Sequence, residues 1–219
     1  MAVGTDTAMW HAAMLAWILA VPLWPITKFV VVVAHEGGHA MAAVALLRAV
    51  RKITFTRDGQ GGTLHEIPFW PLSIVIAAAG YAGPSLFGLF AAWLLLHTEP
   101  VMVLWASMAF LVLMLPTLRG LIGWLIVPAL LVVLFQVTTK AREEHLMLAA
   151  YVWVWLLLIG AVQRMILHAT RGDWTVKEND TTRLSELTLV PSAVWSFVLL
   201  AGTIGALVWG GSLLLRMPA

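Results

Sequence analysis

The pentapeptide His35-Glu36-Gly37-Gly38-His39 lies inside an apolar run, Phe29–Leu47, that has the length of a membrane crossing. Each charged group held at membrane depth costs roughly 2.5–3.5 kcal/mol on insertion scales. A helix carrying two imidazoles and a carboxylate there must turn them toward protein, water or an ion. Histidines four residues apart share one helix face and can both reach a single ion, their nitrogens about 2.0–2.1 Å from it. Glu36 stands about 100° round the helix from His35. It is too displaced for a third ligand, but placed to reach a water held by that ion. Zinc brings the pKa of such a water to about 7, and a carboxylate can take the proton as the water attacks a polarised carbonyl. The spacing thus offers His35 and His39 as metal ligands and Glu36 as general base. The rival reading is structural: two histidines hydrogen-bonded between helices, with Glu36 paired to an arginine or lysine.

Composition places this motif in a membrane protein. Of 219 residues, 61% are hydrophobic and only 11% charged, where a soluble domain carries about a quarter. The mean hydropathy is +0.92. We expect an all-α polytopic protein, integral to the lipid bilayer and forming one domain over residues 1–219. Cysteine is absent, which excludes disulfides and thiolate metal sites and leaves His, Asp and Glu as ligands. A net charge of +2 is too small to argue for a nucleic-acid partner. The first residues lack a basic n-region, so Met9–Trp24 reads as a first span rather than a removed leader.

At about 20 apolar residues per crossing, seven spans follow: Ala8–Trp24, Pro25–Leu47, Leu72–Leu96, Val101–Pro116, Leu121–Val137, Leu146–Ile166 and Ser192–Leu215. The fourth and fifth are short and joined only by Thr117-Leu118-Arg119-Gly120, so six spans with one re-entrant segment is the alternative. Arg48, Arg51, Lys52, Arg57, Arg119, Arg164, Arg171, Lys177 and Arg183 fall on one side, against Lys28, Lys140, Arg142 and Arg216 on the other. That asymmetry puts the first side, and the N-terminus, in the cytoplasm. Trp10, Trp24, Trp70 and Trp195 near span ends suit interfacial belts, while Trp17, Trp93 and Trp124 read as packing residues. Between the second and third spans, alternation over Lys52–Thr56, a glycine-rich turn over Arg57–Gly62 and a second alternating run over Thr63–Ile67 predict a small cytoplasmic β-hairpin.

A catalytic zinc takes three protein ligands and keeps one position open, so a third must come from outside the pentapeptide. The acid-rich stretch His168–Val190 is the place to look. Asp180, just before the last span, is the first choice; Asp173 and Glu178 come next. Asn179-Asp180 also reads as the N-cap of a short helix over Thr181–Leu187. Asp58 belongs to the hairpin turn and His168 ends a span, and both read as structural or interfacial. Gly37 and Gly38 either keep the metal face open or let a neighbouring helix approach. The hairpin either offers a free edge to an unwound substrate strand or ties the chain to the membrane surface.

The HExxH motif in an early span, followed by a basic exit and a glycine-rich hairpin, resembles the site-2 proteases, which are intramembrane zinc metallopeptidases. It is most similar to their compact bacterial branch, which lacks a PDZ domain. Ala82-Gly83-Pro84 in the third span is similar to the Ala-Gly-Pro element of that family. The resemblance implies that His35 and His39 bind Zn2+, that Glu36 activates water, and that the substrate is a membrane protein or peptide cut at the bacterial cytoplasmic membrane. Two departures stand out. The family's Leu-Asp-Gly tripeptide is absent, and Asp180-Thr181-Thr182-Arg183-Leu184-Ser185-Glu186-Leu187-Thr188 resembles instead the compact branch's pattern before the last span. The asparagine that often follows the Gly-Pro is replaced by Phe87, which leaves no assigned oxyanion stabiliser. The competing class is a non-catalytic metal-binding membrane protein or a divalent-metal transporter. A transport path needs polar residues across the membrane, and the fourth and fifth spans offer only Ser107, Gln136 and the Trp124 amine.

Overall fold

Proline sets the helix boundaries. Pro25, Pro71 and Pro100 each stand in the first turn of a helix, where the missing N–H has no intrahelical partner to lose. The computed structural model describes residues 3–66, 69–171 and 179–215, with side chains from Met9 onward. Its helices are α1 (Val3–Ala20), α2 (Trp24–Ala45), α3 (Trp70–His97), α4 (Pro100–Met114), α5 (Leu121–Lys140), α6 (Glu143–Arg171), α7 (Asp180–Thr188) and α8 (Ser192–Leu215). Two strands, β1 (Val50–Phe55) and β2 (Gly61–His65), lie between α2 and α3.

The protein is mostly helical and membrane-embedded, as composition implies, and among the described residues five or six candidate crossings are found, which favours six over seven. Five helices (α3, α4 continued by a turn to Thr117, α5, α6 and α8) are long and apolar enough to cross alone. The first two expected spans qualify only together, as a pair bent by 99°, which gives six crossings if that pair is one. The break holds Pro22, and the residue before Pro25 is disfavoured as helix. Beyond it, α2 carries Lys28 and the polar pentapeptide, which lower its apolar character. Thr27 closes the bend by donating its hydroxyl to the Leu19 carbonyl at 2.5 Å. The irregularity expected around the fourth and fifth spans therefore falls at the first pair instead. Trp17, Trp93 and Trp124 are also not packing residues: each is about half exposed, facing outward.

α3 is the centre of the bundle and packs against α2, α6, α7 and α8. Gly38 and Gly83 make the α2–α3 contact possible. A Cβ on Gly38 would stand 3.0 Å from the Gly83 Cα and closer still to the Ala79 carbonyl oxygen, so the two backbones touch. Of the two roles open to Gly38, close helix approach is the one seen.

The hairpin sits where expected, but both strands begin two residues earlier, at Val50 and Gly61. β1 pairs antiparallel with β2 in the register Ile53↔Thr63 and Phe55↔Gly61, with an irregularity between Val50 and Lys52. β2 ends at His65, and Ile67 lies outside the described residues. The turn closes with the Thr56 N–H donating to the Gln60 carbonyl at 2.9 Å, and Gly59 takes the left-handed conformation at φ +83°. Buried Ile53 and Phe55 anchor β1, and the Arg119 N–H donates to the Ile53 carbonyl at 2.8 Å. The other strand, β2, is thereby held against α2.

Candidate metal centre

His35, Glu36 and His39 are all buried, on the middle turns of α2. They face α3, where Gly80 leaves room for them. A Cβ at Gly80 would strike the His39 ring and lie 2.9 Å from Asp180 Oδ2. Asp180 reaches this point because α7 begins at it. Asn179 caps that helix, its side-chain oxygen accepting from the Thr181 N–H, and Thr182 completes a capping box. The two readings of Asn179-Asp180 are therefore compatible: the cap residue is Asn179, and capping it aims the next side chain into the bundle.

His35 Nε2 and His39 Nε2 lie 3.0 and 3.1 Å from the same oxygen, Asp180 Oδ2. These ligand atoms all fall within 4.8 Å of one another and could hold a metal ion. The fit can be tested on the protonation pattern. His39 Nδ1 lies 2.8 Å from the Ile76 carbonyl oxygen, which can only accept, so Nδ1 carries the hydrogen. In a neutral ring, Nε2 then holds a lone pair aimed at a carboxylate oxygen. Two acceptors then face each other, and either a proton or a metal ion between them resolves the contact. Ligands about 2.0–2.1 Å from a tetrahedral ion stand about 3.3 Å apart, close to the separations seen. The Ile76 carbonyl is also the kind of partner that orients a ligating histidine. His35 Nδ1, by contrast, is buried with no hydrogen-bond partner among the described residues.

Glu36 does not join this triangle. Its Oε1 is 4.0 Å from His35 Nε2, while Oε2 accepts a 2.8 Å hydrogen bond from the Thr63 hydroxyl of β2. β2 passes directly over the carboxylate, since a Cβ on Gly61 would collide with it. Burial alone would raise the Asp180 carboxyl, but His39 and His35 facing it hold it well below the usual carboxylate range. All four side chains open on a cavity of about 840 Å³, also lined by Lys28, Thr63, Tyr81 and Arg164.

The other candidates divide differently. Asp58 is in the hairpin turn at the cavity mouth, where its carbonyl accepts from Lys28 Nζ at 2.6 Å. Hydrogen bonding from Thr56 holds its carboxyl low. Asp173 and Glu178 lie outside the described residues. Phe87 is turned away, its ring packed against Phe110 at 4.8 Å in a separate apolar cavity. His168 is buried beside α7. Sequence reasoning missed Tyr81, whose ring meets that of His35 edge-on at 4.7 Å, and Arg164, whose guanidinium lies over Tyr81 at 5.7 Å. A signal for the second existed: Arg164 and His168 are four apart in an apolar span, the same one-face spacing as the histidines of α2.

The family model described as Peptidase M50B-like matches residues 8–210. No curated protein and no solved structure matches the chain.

Proposed function

The chain belongs to the Peptidase M50B-like family, and from that premise we propose that it is an intramembrane zinc metallopeptidase. In this reading it hydrolyses a peptide bond of a membrane-protein substrate near the cytoplasmic face. His35, His39 and Asp180 are the metal ligands and Glu36 the general base. The observation that carries the reading is the convergence of two histidine nitrogens on one Asp180 oxygen, 3.0 and 3.1 Å away, from helices 141 residues apart in the chain.

When bound, zinc supplies Lewis-acid polarisation of the scissile carbonyl and makes water acidic enough to attack near neutral pH. The protein does the rest. The Thr63 hydroxyl fixes one oxygen of Glu36, so the other faces the metal position and can take the proton of the attacking water. That proton then passes to the leaving amine as the C–N bond breaks and the new C–O bond completes. β2 covers Glu36 from bulk solvent, and its residues Gly61–His65 line the cavity. A substrate helix hides its carbonyls in hydrogen bonds, so it must unwind to be cut, and the β2 edge offers an extended segment a place to lie.

The test is cleavage of a membrane-protein substrate by purified protein in proteoliposomes. Glu36→Gln removes the base and abolishes cleavage, a loss of at least about 10²–10⁴-fold, while zinc content stays at one per chain. His35→Ala loses both. Full activity in Glu36→Gln would sink the mechanism.

A further inference from the structure

Four elements meet at one buried imidazole that touches neither the metal ligands nor the cavity's carboxylate. His168, on the last turns of α6, is 3% exposed. Its Nδ1 lies 3.0 Å from the Tyr81 hydroxyl of α3 and 3.1 Å from Asn179 Nδ2. On the other side, Nε2 lies 3.1 Å from the Ser196 hydroxyl of α8 and 3.3 Å from Thr181 Oγ1. Tyr81 in turn donates to Asn179 Oδ1 at 3.0 Å.

The proton directions follow from the partners. The Ser196 hydroxyl donates to the Ser192 carbonyl at 2.9 Å, so toward His168 it can only accept, and Nε2 carries the hydrogen. Nδ1 is then an acceptor, facing the Asn179 amide nitrogen and the Tyr81 hydroxyl, whose one hydrogen is shared between Nδ1 and Asn179 Oδ1. This fixes which way the Asn179 amide points. Its nitrogen is held by His168, and its oxygen is left for the Tyr81 hydroxyl and the Thr181 N–H, 3.4 Å away. That orientation is the one capping α7 demands, and the first residue of α7 is Asp180.

We propose that His168 is a positioning residue for the third metal ligand: with Tyr81 and Ser196 it locks the Asn179 amide, and through that cap it fixes the Asp180 carboxylate opposite His35 and His39. The inference rests on the metal site proposed above. It assigns a function to a side chain at the edge of the polar cavity whose hydrogen bonds run to Tyr81, Asn179, Thr181 and Ser196.

A capping role alone and a locking role predict different things for one variant. Asn179→Ser keeps a good N-cap but is too short to reach His168 and Tyr81. The experiment measures zinc affinity of the full chain in detergent by competition with a chromophoric chelator, the absorption spectrum with Co2+ in place of zinc, and thermal unfolding of the metal-free protein. The parent binds one zinc and His35→Ala does not. Asn179→Ser and His168→Leu each weaken zinc binding about 10–100-fold, the range for residues that orient ligands, and shift the cobalt bands. Metal-free Asn179→Ser still unfolds in one cooperative step, somewhat below the parent's temperature because buried His168 and Tyr81 lose the amide. Zinc binding by Asn179→Ser equal to the parent overturns the proposal, because the cap then suffices without the lock. This holds even if His168→Leu fails to fold. A parent that binds no zinc overturns the metal site itself and this inference with it.

Discussion

Two cavities of similar size flank the α2–α3 pair, about 840 and 770 Å³, and they share no lining residue. The first holds His35, Glu36, His39, Asp180, Lys28 and Arg164. The second is walled by Val30, Val33, Met41, Phe87, Phe110 and Trp153, with Ser107 and Thr117 among its few polar side chains. Both are bounded by the same two helices. What separates them is which stripe of α2 each one sees, since residues 28, 35 and 39 fall on one face and 30, 33, 37, 41 and 44 on another. Room for a ligand is thus common in this bundle, whereas room lined by groups that can hold a cation and move a proton occurs on one stripe. Cavity size says little about chemistry here, and the helical register says a great deal.

The strongest way to break that contrast is to fill the polar side at its narrowest point. Gly80→Ala puts a methyl group against the His39 ring and 2.9 Å from Asp180 Oδ2. Alanine is about 1 kcal/mol better than glycine in a helix interior, which offsets part of the roughly 1–3 kcal/mol that crowding the buried His39 ring costs, so the metal-free protein should still fold. Zinc affinity should nonetheless fall past the roughly 100-fold upper end for supporting residues. Parent-like zinc binding in Gly80→Ala would mean that His39 and Asp180 are not ligands together. A smaller effect on the same face comes from Thr63→Val, which deletes the hydroxyl donating to Glu36. A hydrogen bond to a charged group contributes about 1.5–3 kcal/mol, so turnover should fall about tenfold or more while zinc content is unchanged. Loss of zinc in this variant would show that β2 supports the ligands rather than the base.

Adjacent glycines sharpen the comparison further, because they face different neighbours. A Cβ at Gly38 meets the backbone of α3 at Ala79 and Gly83, which cannot move without parting the two helices. Gly38→Ala should therefore destabilise by about 1–3 kcal/mol, as overpacking does. A Cβ at Gly37 meets only the outer end of the Phe110 ring, and Phe110 borders the apolar cavity, into which it can swing. Gly37→Ala should be neutral or stabilising by up to about 1 kcal/mol. Thermal unfolding of the two variants side by side reads the difference directly, and equal losses would mean that the apolar cavity is not available space.

The legible and illegible parts of the molecule divide along a physical line. His35, Glu36 and His39 could be read from the sequence because helical spacing is local and buried polar groups in an apolar run need a reason. Asp180 could only be ranked first among acids: its approach depends on α7 folding back against α3, a contact with no local signature. The Asn179 cap was visible, but not that it aims the next residue at α2. Tyr81, Arg164 and Thr63 each act across elements, and their sequence neighbourhoods mark them only weakly. Of the six or seven crossings that the sequence allows, the lower number fits the described residues, because a proline break and polar residues make two short helices share one passage, which composition cannot tell from two full spans.

The mildest expected effect concerns Phe87, the position where the family often has an asparagine. Seven residues after Gly80 on α3, it stands about 10.5 Å further along the helix axis, with its ring on Phe110 rather than in the polar cavity. If the two cavities are chemically separate, restoring the amide there gives the reaction no new donor. Phe87→Asn should bind zinc and turn over substrate as the parent does. Its only consequence should be stability, lower by about 1–3 kcal/mol because an amide replaces a ring among apolar neighbours and leaves hydrogen-bonding groups unmet. A rise in turnover would mean that the apolar cavity communicates with the reacting bond and that the stripe on α2 is not the boundary. An unchanged rate with lower stability would assign carbonyl polarisation to the polar side alone, where Arg164 already carries a buried Nε with no hydrogen-bond partner among the described residues.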